Sequence, residues 1–377
     1  MKKNMRARDL GIIVSGTPGK YNAITDVAGV EVGYSTLIIG EPSDYVDRYS
    51  DFARTGVTAI LPRGKSCSAV FAGRHDLNGN GELTGTHWVD DSGFLHGPVM
   101  ITNTYNVGIV RDTTAQWMVD NDFFFPFFMD GHRIEGLGAF YPVVGETYDG
   151  CLNNASGYQI NPTQVRQALD SAHGGEIEEG NVGGGTGMRC HGFKGGTGTS
   201  SRIVKIEGGD KSYTVGVLVQ ANHGTREDLI IQGIPMQEIT GYEQINNTLA
   251  AYRDGTGSII VVIATDAPLL PHQLSKLCRR ATIGIGKLGG GFASGSGDIF
   301  ISFSTGNEDA FGYGYTNVTM MNDDLVDPLY KAAAEATEEA ILNAMCAAET
   351  MVGKDGNTTY HLPTDQVIAI LKEHNRM

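Results

Sequence analysis

Ser258 is the residue whose setting most invites chemistry. It follows Asp254-Gly255-Thr256-Gly257 and opens Ser258–Ala264, an almost wholly apolar run rich in β-branched residues. Such a run reads as a strand buried on both faces. A glycine-bearing turn thus delivers a hydroxyl to the first position of a core strand. That placement suits attack by Ser258 Oγ on the carbonyl carbon of its own preceding peptide. Gly257 offers backbone conformations that a residue with Cβ resists, and strain at the peptide would assist the attack. An N→O acyl shift gives an ester, and water then frees a new terminus at Ser258. The liberated α-amine, with an ordinary pKa of about 7.7–8.0, is a usable base at neutral pH. It sits on the same residue as the hydroxyl, so nucleophile and base arrive together. A Gly-Ser step before a strand also occurs without any chemistry, so the junction frames a hypothesis and does not prove it.

Ser296 and Asp298 strengthen it. They stand two apart at the head of a second apolar run, Asp298–Ser304, which directs both side chains to one face. A hydroxyl and a carboxylate so placed could relay a proton or orient an amine. A glycine-serine turn with a strand-capping aspartate is the plainer alternative.

Other patterns fall short of their motifs. Asp76, Asn78, Asn80 and Gly81 copy half of a calcium loop, but His87 stands where a bidentate Glu is needed. Gly284, Gly286 and Gly289 spell a dinucleotide fingerprint that follows a helix, not a strand, and they read as a turn. Gly64-Lys65-Ser66 lacks the first glycine of a phosphate loop. The ten histidines form no zinc spacing, and no serine sits in a GxSxG elbow.

The elements that would position these groups are legible in part. Up to residue 155 the chain reads as short strands between Gly/Asn/Asp turns, among them Val57–Leu61, Ser68–Ala72, Val99–Thr102 and Ala139–Val144. Asn161 caps a helix that Pro162 begins and whose face carries Val165, Leu169 and Ala172. Arg202–Glu207 and Tyr213–Gln220 flank Gly208-Gly209-Asp210 as a hairpin. Around Pro271, after Pro268, comes one helix striped with Leu270, Leu274, Leu277 and Ala281. A long helix capped by Asp327 runs to about Met351, with Gly353 as its stop. A last amphipathic helix spans Thr364–His374. Doubly buried strands with long helices imply a layered α/β sandwich, read as one domain over 1–377.

Composition sets the limits. The 377 residues are 41% hydrophobic, with 28 basic against 43 acidic residues and a net charge of −15. An acidic chain without a basic stripe is a poor partner for nucleic acid or an anionic membrane. No apolar run reaches membrane-spanning length. Five scattered cysteines without a CxxC pair argue against a disulfide framework and fit a reducing compartment. The basic start is followed only by a short apolar stretch, Leu10–Val14, too short for a secretory signal. The expectation is a cytoplasmic protein.

Several long segments in order resemble the L-aminopeptidase/D-amidase/esterase family that includes the β-peptidyl aminopeptidases. They are GTPGKYNAITDVAGVEVG at 16–33, NGNGELTGTHW at 78–88, VVGETYDGCLNN at 143–154, GNVGGGTGM at 180–188, GSIIVVIATDAPLLP at 257–271, GSGDIFISFST at 295–305 and EATEEAILNA at 335–344. The resemblance covers nearly the whole chain. It implies a four-layer αββα sandwich similar to N-terminal-nucleophile hydrolases, with different connectivity. It also implies self-cleavage into an α chain, 1–257, and a β chain, 258–377. The implied activity removes N-terminal residues from short peptides, amides or esters bearing a free amine, through an acyl-enzyme. No metal or organic cofactor is expected, and a homotetramer of αβ units is. By the same resemblance Ser258 matches the nucleophile, and Ser296 and Asp298 the supporting hydroxyl and acid. Asn222 matches the oxyanion-hole side chain, Tyr148 an active-site tyrosine, and Glu146 the acid that holds the substrate ammonium. Some relatives carry Glu in place of Asp298 or possess secretory signals.

Two other readings compete. An acyltransferase of the ornithine acetyltransferase kind shares the fold and self-cleavage logic but uses threonine as nucleophile. A non-enzymatic binding protein would leave the Gly257–Ser258 bond intact.

Overall fold

The computed structural model describes residues 5–66, 68–123, 125–139, 141–207, 211–242, 257–312 and 314–377. Two sheets make its centre. The smaller contains β1 (Glu31–Ile39), β2 (Ala53–Lys65), β5 (Val99–Asn103) and β6 (Val143–Thr147), in the order β1-β2-β5-β6. The larger has the order β7-β8-β9-β10-β3-β4. Its strands are β3 (Val70–Gly79), β4 (Phe94–Leu95), β7 (Gly196–Lys205), β8 (Ser212–Asn222), β9 (Ser258–Thr265) and β10 (Gly297–Ser304). Within it β9 and β10 run parallel, while β8 and β3 flank them antiparallel.

Alternation along the strands sorts the core into layers. Ile259, Val261 and Ile263 of β9 pack with helix residues such as Leu274, Ile285 and Ile341. Ile260, Val262 and Ala264 pack with Val32, Ile60, Ile101 and Val143 of the other sheet. The outer face of the small sheet, with Val57, Ala59, Leu61 and Met100, buries Trp117 and Leu169. These last come from α2 (Val107–Asp120) and α3 (Pro162–Asp170). Opposite them, α4 (Pro271–Cys278), α5 (Ala281–Lys287), α6 (Asp327–Ala347) and α7 (Thr364–Glu373) cover the large sheet. The result is the four-layer αββα sandwich. A further short helix, α1 (Thr86–Ser92), lies between β3 and β4.

Several elements follow the sequence reading. Asn161 accepts a hydrogen bond from Thr163 N at 2.9 Å and caps α3. β7 and β8 form the expected hairpin, its ladder closing at Lys205 and Ser212. Its turn, Gly208-Gly209-Asp210, lies outside the described residues.

Others differ. The strand expected at 139–144 is β6, Val143–Thr147. The region before residue 155 also contains α1 and α2. The stripe after Pro271 splits into α4 and α5, and the Gly284/Gly286 pattern is helical, not a turn. Gly284 is where α5 meets α6: a Cβ there would stand 2.7 Å from Ala334 O and 2.8 Å from Glu338 N. Asp327 is the first residue inside α6, not its cap. That helix ends at Ala347, short of Met351, because the chain beyond it turns to Asn181. The Asn181 side chain donates to Glu349 O at 2.9 Å, and Glu349 N returns a bond at 3.3 Å.

Candidate active site

Ser258 occupies the first position of β9, as its apolar run requires, and is 9% exposed. It pairs with Asn222, the last residue of β8, and with Gly297, the first of β10. Its Oγ accepts a hydrogen bond from Gly297 N at 3.1 Å. The same N–H lies 3.3 Å from Gly257 O, so one donor serves both the hydroxyl and the carbonyl before it. Among the described residues no acceptor takes the Ser258 proton.

Gly257 is needed for a different reason from the one the sequence suggested. Its φ is outside the left-handed region. What demands glycine is contact: a Cβ would stand 2.0 Å from Asn222 O and 2.8 Å from His223 Cα. Asp254, Gly255 and Thr256 lie outside the described residues.

The Ser296–Asp298 pair forms. Ser296 Oγ donates to Asp298 Oδ1 at 2.7 Å, and both side chains are buried. Neither is hydrogen-bonded to Ser258 Oγ. The register explains this: Asp298 lies beside Ile259, one residue on from Ser258, and successive residues alternate faces. The pair therefore flanks Gly297, whose N–H holds the serine. Asn78 completes the group by donating to Asp298 Oδ2 at 2.7 Å. Burial pushes the Asp298 carboxyl up from its ordinary pKa, and the Ser296 and Asn78 bonds oppose that rise.

Asn222 is held at both ends of its amide. Oδ1 accepts from Arg189 N at 2.8 Å, and Nδ2 donates to Tyr148 O at 3.1 Å. A primary amide has two N–H groups, and Tyr148 O engages one of them. Tyr148 is half-buried, and Tyr105 meets its ring edge-on at 5.9 Å. Tyr105 stacks on Tyr158 at 6.1 Å.

Glu146 lies on β6 and is 4% exposed. Oε1 accepts from Glu82 N at 3.1 Å, and Thr104 Oγ1 donates to Oε2. Burial raises its pKa against those two bonds. Gly81 lies between it and the neighbour of Ser258: a Cβ on Gly81 would stand 2.8 Å from Glu146 Oε1 and 3.8 Å from Gly297 Cα. The carboxylate and the serine's neighbour thus lie on either side of one glycine.

Asn78, Gly81 and Glu82 were not among the residues chosen from chemistry alone. Their stretch reads as a failed calcium loop, yet Asn78 ends on Asp298 and Glu82 on Glu146. Cys190, His191 and His223 were missed too. His223 is distant in sequence from the adjacent Cys190 and His191, and their ligand atoms lie within 4.8 Å of one another beside Asn222. A cleft of about 980 Å3 lined by Tyr21, Tyr34, His173 and Glu178 contains none of the candidate residues. Hydrogen bonding, not cavity size, locates the site.

The peptidase family S58 model matches residues 22–359. The chain belongs to peptidase family S58. Among curated S58-like relatives, the β-peptidyl aminopeptidase BapA of Sphingosinicella microcystinivorans is 47% identical, over 99% of this chain and 93% of its own. The L-aminopeptidase D-Ala-esterase/amidase of Ochrobactrum anthropi superposes with a TM-score of 0.85 at 45% identity. That match covers 98% of this chain and 99% of the other. It is described as a variant of the Ntn-hydrolase fold and a prototype of the serine aminopeptidases. A Burkholderia β-aminopeptidase matches with a TM-score of 0.83 at 42% identity, over 98% and 99% of the two chains. The S58 chain described here is accordingly a hydrolase of the aminopeptidase and amidase type. The matches favour neither the acyltransferase nor the non-enzymatic reading. Among the described residues no helix is long and apolar enough to cross a membrane.

Proposed function

We propose that this S58 hydrolase cuts itself between Gly257 and Ser258 and then uses Ser258 as an N-terminal nucleophile. In the first stage Ser258 Oγ adds to the Gly257 carbonyl carbon, and the C–N bond breaks as the acyl group moves to oxygen and the hydroxyl proton passes to the departing nitrogen. Water hydrolyses the ester, leaving a Gly257 carboxylate on the α chain, 1–257, and a free amine on the β chain, 258–377. The single observation that carries this is the Gly297 N–H. It lies against the Gly257 carbonyl oxygen and the Ser258 hydroxyl together, the polarised carbonyl and the attacking atom.

In turnover the Ser258 amine takes the Oγ proton as the oxygen attacks the substrate carbonyl. The amine then returns that proton to the departing amine or alcohol. Water releases the acyl group by the reverse sequence. Asn222 Nδ2–H stabilises the tetrahedral oxyanion, and Ser296 with Asp298 orients the Ser258 amine. Glu146 binds the ammonium group of the substrate, since a buried carboxylate facing a cation gives a strong, directional contact. Tyr148 borders the residue being removed. Substrates are short peptides, amides or esters with a free amine. The relatives' names extend this class to β-amino acid residues at the N-terminus. The working unit is a cytoplasmic homotetramer of αβ pairs, and the reaction needs no metal or organic cofactor.

A denaturing gel with N-terminal sequencing tests the first stage. Two fragments are expected, the smaller beginning Ser-Ile-Ile-Val. Active protein that remains one unbroken chain would overturn the reading.

A further inference from the structure

Beside Asn222 lies a second constellation that the hydrolytic reaction does not use. Cys190 closes the short ladder Arg189–Cys190, and His223 follows Asn222 at the end of β8. His191 N donates to His223 O at 2.8 Å, which ties the two segments together. The three side chains are at most 2% exposed.

Their atoms are disposed as ligands. Cys190 Sγ lies 3.8 Å from His223 Nδ1. His191 Nδ1 lies 3.0 Å from Thr225 O, an acceptor only, so Nδ1 carries the proton and Nε2 is bare. Among the described residues His191 Nε2 has no hydrogen-bond partner, and His223 turns Nδ1 to the Cys190 sulfur. Metal–sulfur and metal–nitrogen bonds of about 2.3 and 2.0–2.1 Å, opened at a tetrahedral or trigonal angle, span roughly 3.5–3.8 Å between S and N. The sulfur–nitrogen edge already meets that value.

We propose that Cys190, His191 and His223 form a buried site for a soft monovalent metal ion, cuprous copper. Thiolate and imidazole ligands select soft ions. Charge selects between the soft ions. Coordination releases the Cys190 thiol proton to solvent and forms a metal–sulfur bond. With a monovalent ion the resulting unit is neutral, whereas a divalent ion would leave a net positive charge in a buried site where Cys190 already faces Lys194, with Asp228 acting on His191. No carboxylate belongs to the cluster among the described residues. Occupation would bridge Cys190 to His223 across the Arg189 N–Asn222 Oδ1 bond, linking the ion to the amide beside Ser258.

Full-length protein is loaded anaerobically with acetonitrile-stabilised cuprous ion and challenged with bicinchoninate. One equivalent retained per chain is expected. Retention should weaken by about a hundredfold or more in Cys190→Ser and in His223→Gln, since losing even an outer-shell partner costs 10–100-fold, and be unchanged in Cys346→Ser. No retained equivalent, or equal retention by Cys190→Ser, would overturn the site. If the two variants do not fold, X-ray absorption of the loaded wild-type protein decides: one sulfur and two nitrogens are expected, and any other shell refutes the assignment. Tighter retention of zinc than of cuprous copper would refute the choice of a monovalent ion.

Discussion

The two ends of the β9–β10 pair use the same residue types for different ends. At the C-terminal end Thr265 and Ser304 stand opposite each other, as Ser258 and Gly297 do at the other. Thr265 Oγ1 donates to Thr214 O at 2.7 Å, and Ser304 Oγ donates to Ala267 O at 2.5 Å. Those protons are committed to backbone carbonyls, and the hydroxyls brace a turn. Ser258 Oγ is held from the opposite side, as an acceptor from Gly297 N. Among the described residues nothing takes its proton. A buried serine or threonine is thus read by where its hydrogen goes, not by its identity or burial.

The contrast can be broken by experiment. The largest effect belongs to Ser258→Ala, which should abolish both processing and turnover, with at least about four orders of magnitude lost, as for other serine nucleophiles. Residual cutting at the same bond on a denaturing gel would remove Ser258 from its role. Asn222→Ala should lower kcat by roughly 10²–10³, the cost of one oxyanion donor, with little change in KM. A change confined to KM would contradict that role.

Glu146→Gln should raise KM more than it lowers kcat. It also tests a pH dependence. The Glu146 pKa is raised by burial, so its charged form is lost as pH falls through that raised value, above the ordinary carboxylate at about 4.3. The acid limb of kcat/KM should therefore be one proton steeper in the wild-type enzyme than in the variant, which a pH–rate series measures. An unchanged slope would exclude Glu146 from ammonium binding.

The smallest effect is at the other end. Thr265→Val leaves the Thr214 carbonyl without its hydroxyl donor and should cost about 1–2 kcal/mol. That corresponds to a few degrees of Tm by calorimetry, with processing and kcat unchanged. Altered kcat there would show that the two ends are not separate.

How much of this was legible depends on distance along the chain. β9 was readable because it is apolar on both faces, and α3 because its cap and proline are local. The Ser296–Asp298 contact was readable from a spacing of two. α2 was not: its buried side carries Thr113 and Thr114 beside Val107 and Val110, and Thr114 Oγ1 bonds back to Val110 O at 2.7 Å. Threonines and β-branched residues in the core face blur a helical stripe. Gly284 misled because its role is to admit another helix, a fact about α6 and not about its own neighbours. Asn78 and Asp298 are 220 residues apart, and Cys190 and His223 are 33 apart. Only strand register brings such pairs together. The contact with Asn222 O that demands glycine at 257 cannot be read from the residues beside it.

The strand order has one more consequence. β9 and β10 sit in the middle of the large sheet, between β8 on one side and β3 on the other. A chain opened ahead of Ser258 would consist of two polypeptides interleaved in one sheet, the shorter inserted like a wedge into the longer. Either piece made alone would present two long unpaired edges to solvent, an invitation to aggregate. The halves should therefore be obtained active only by cutting after folding, or by folding them together.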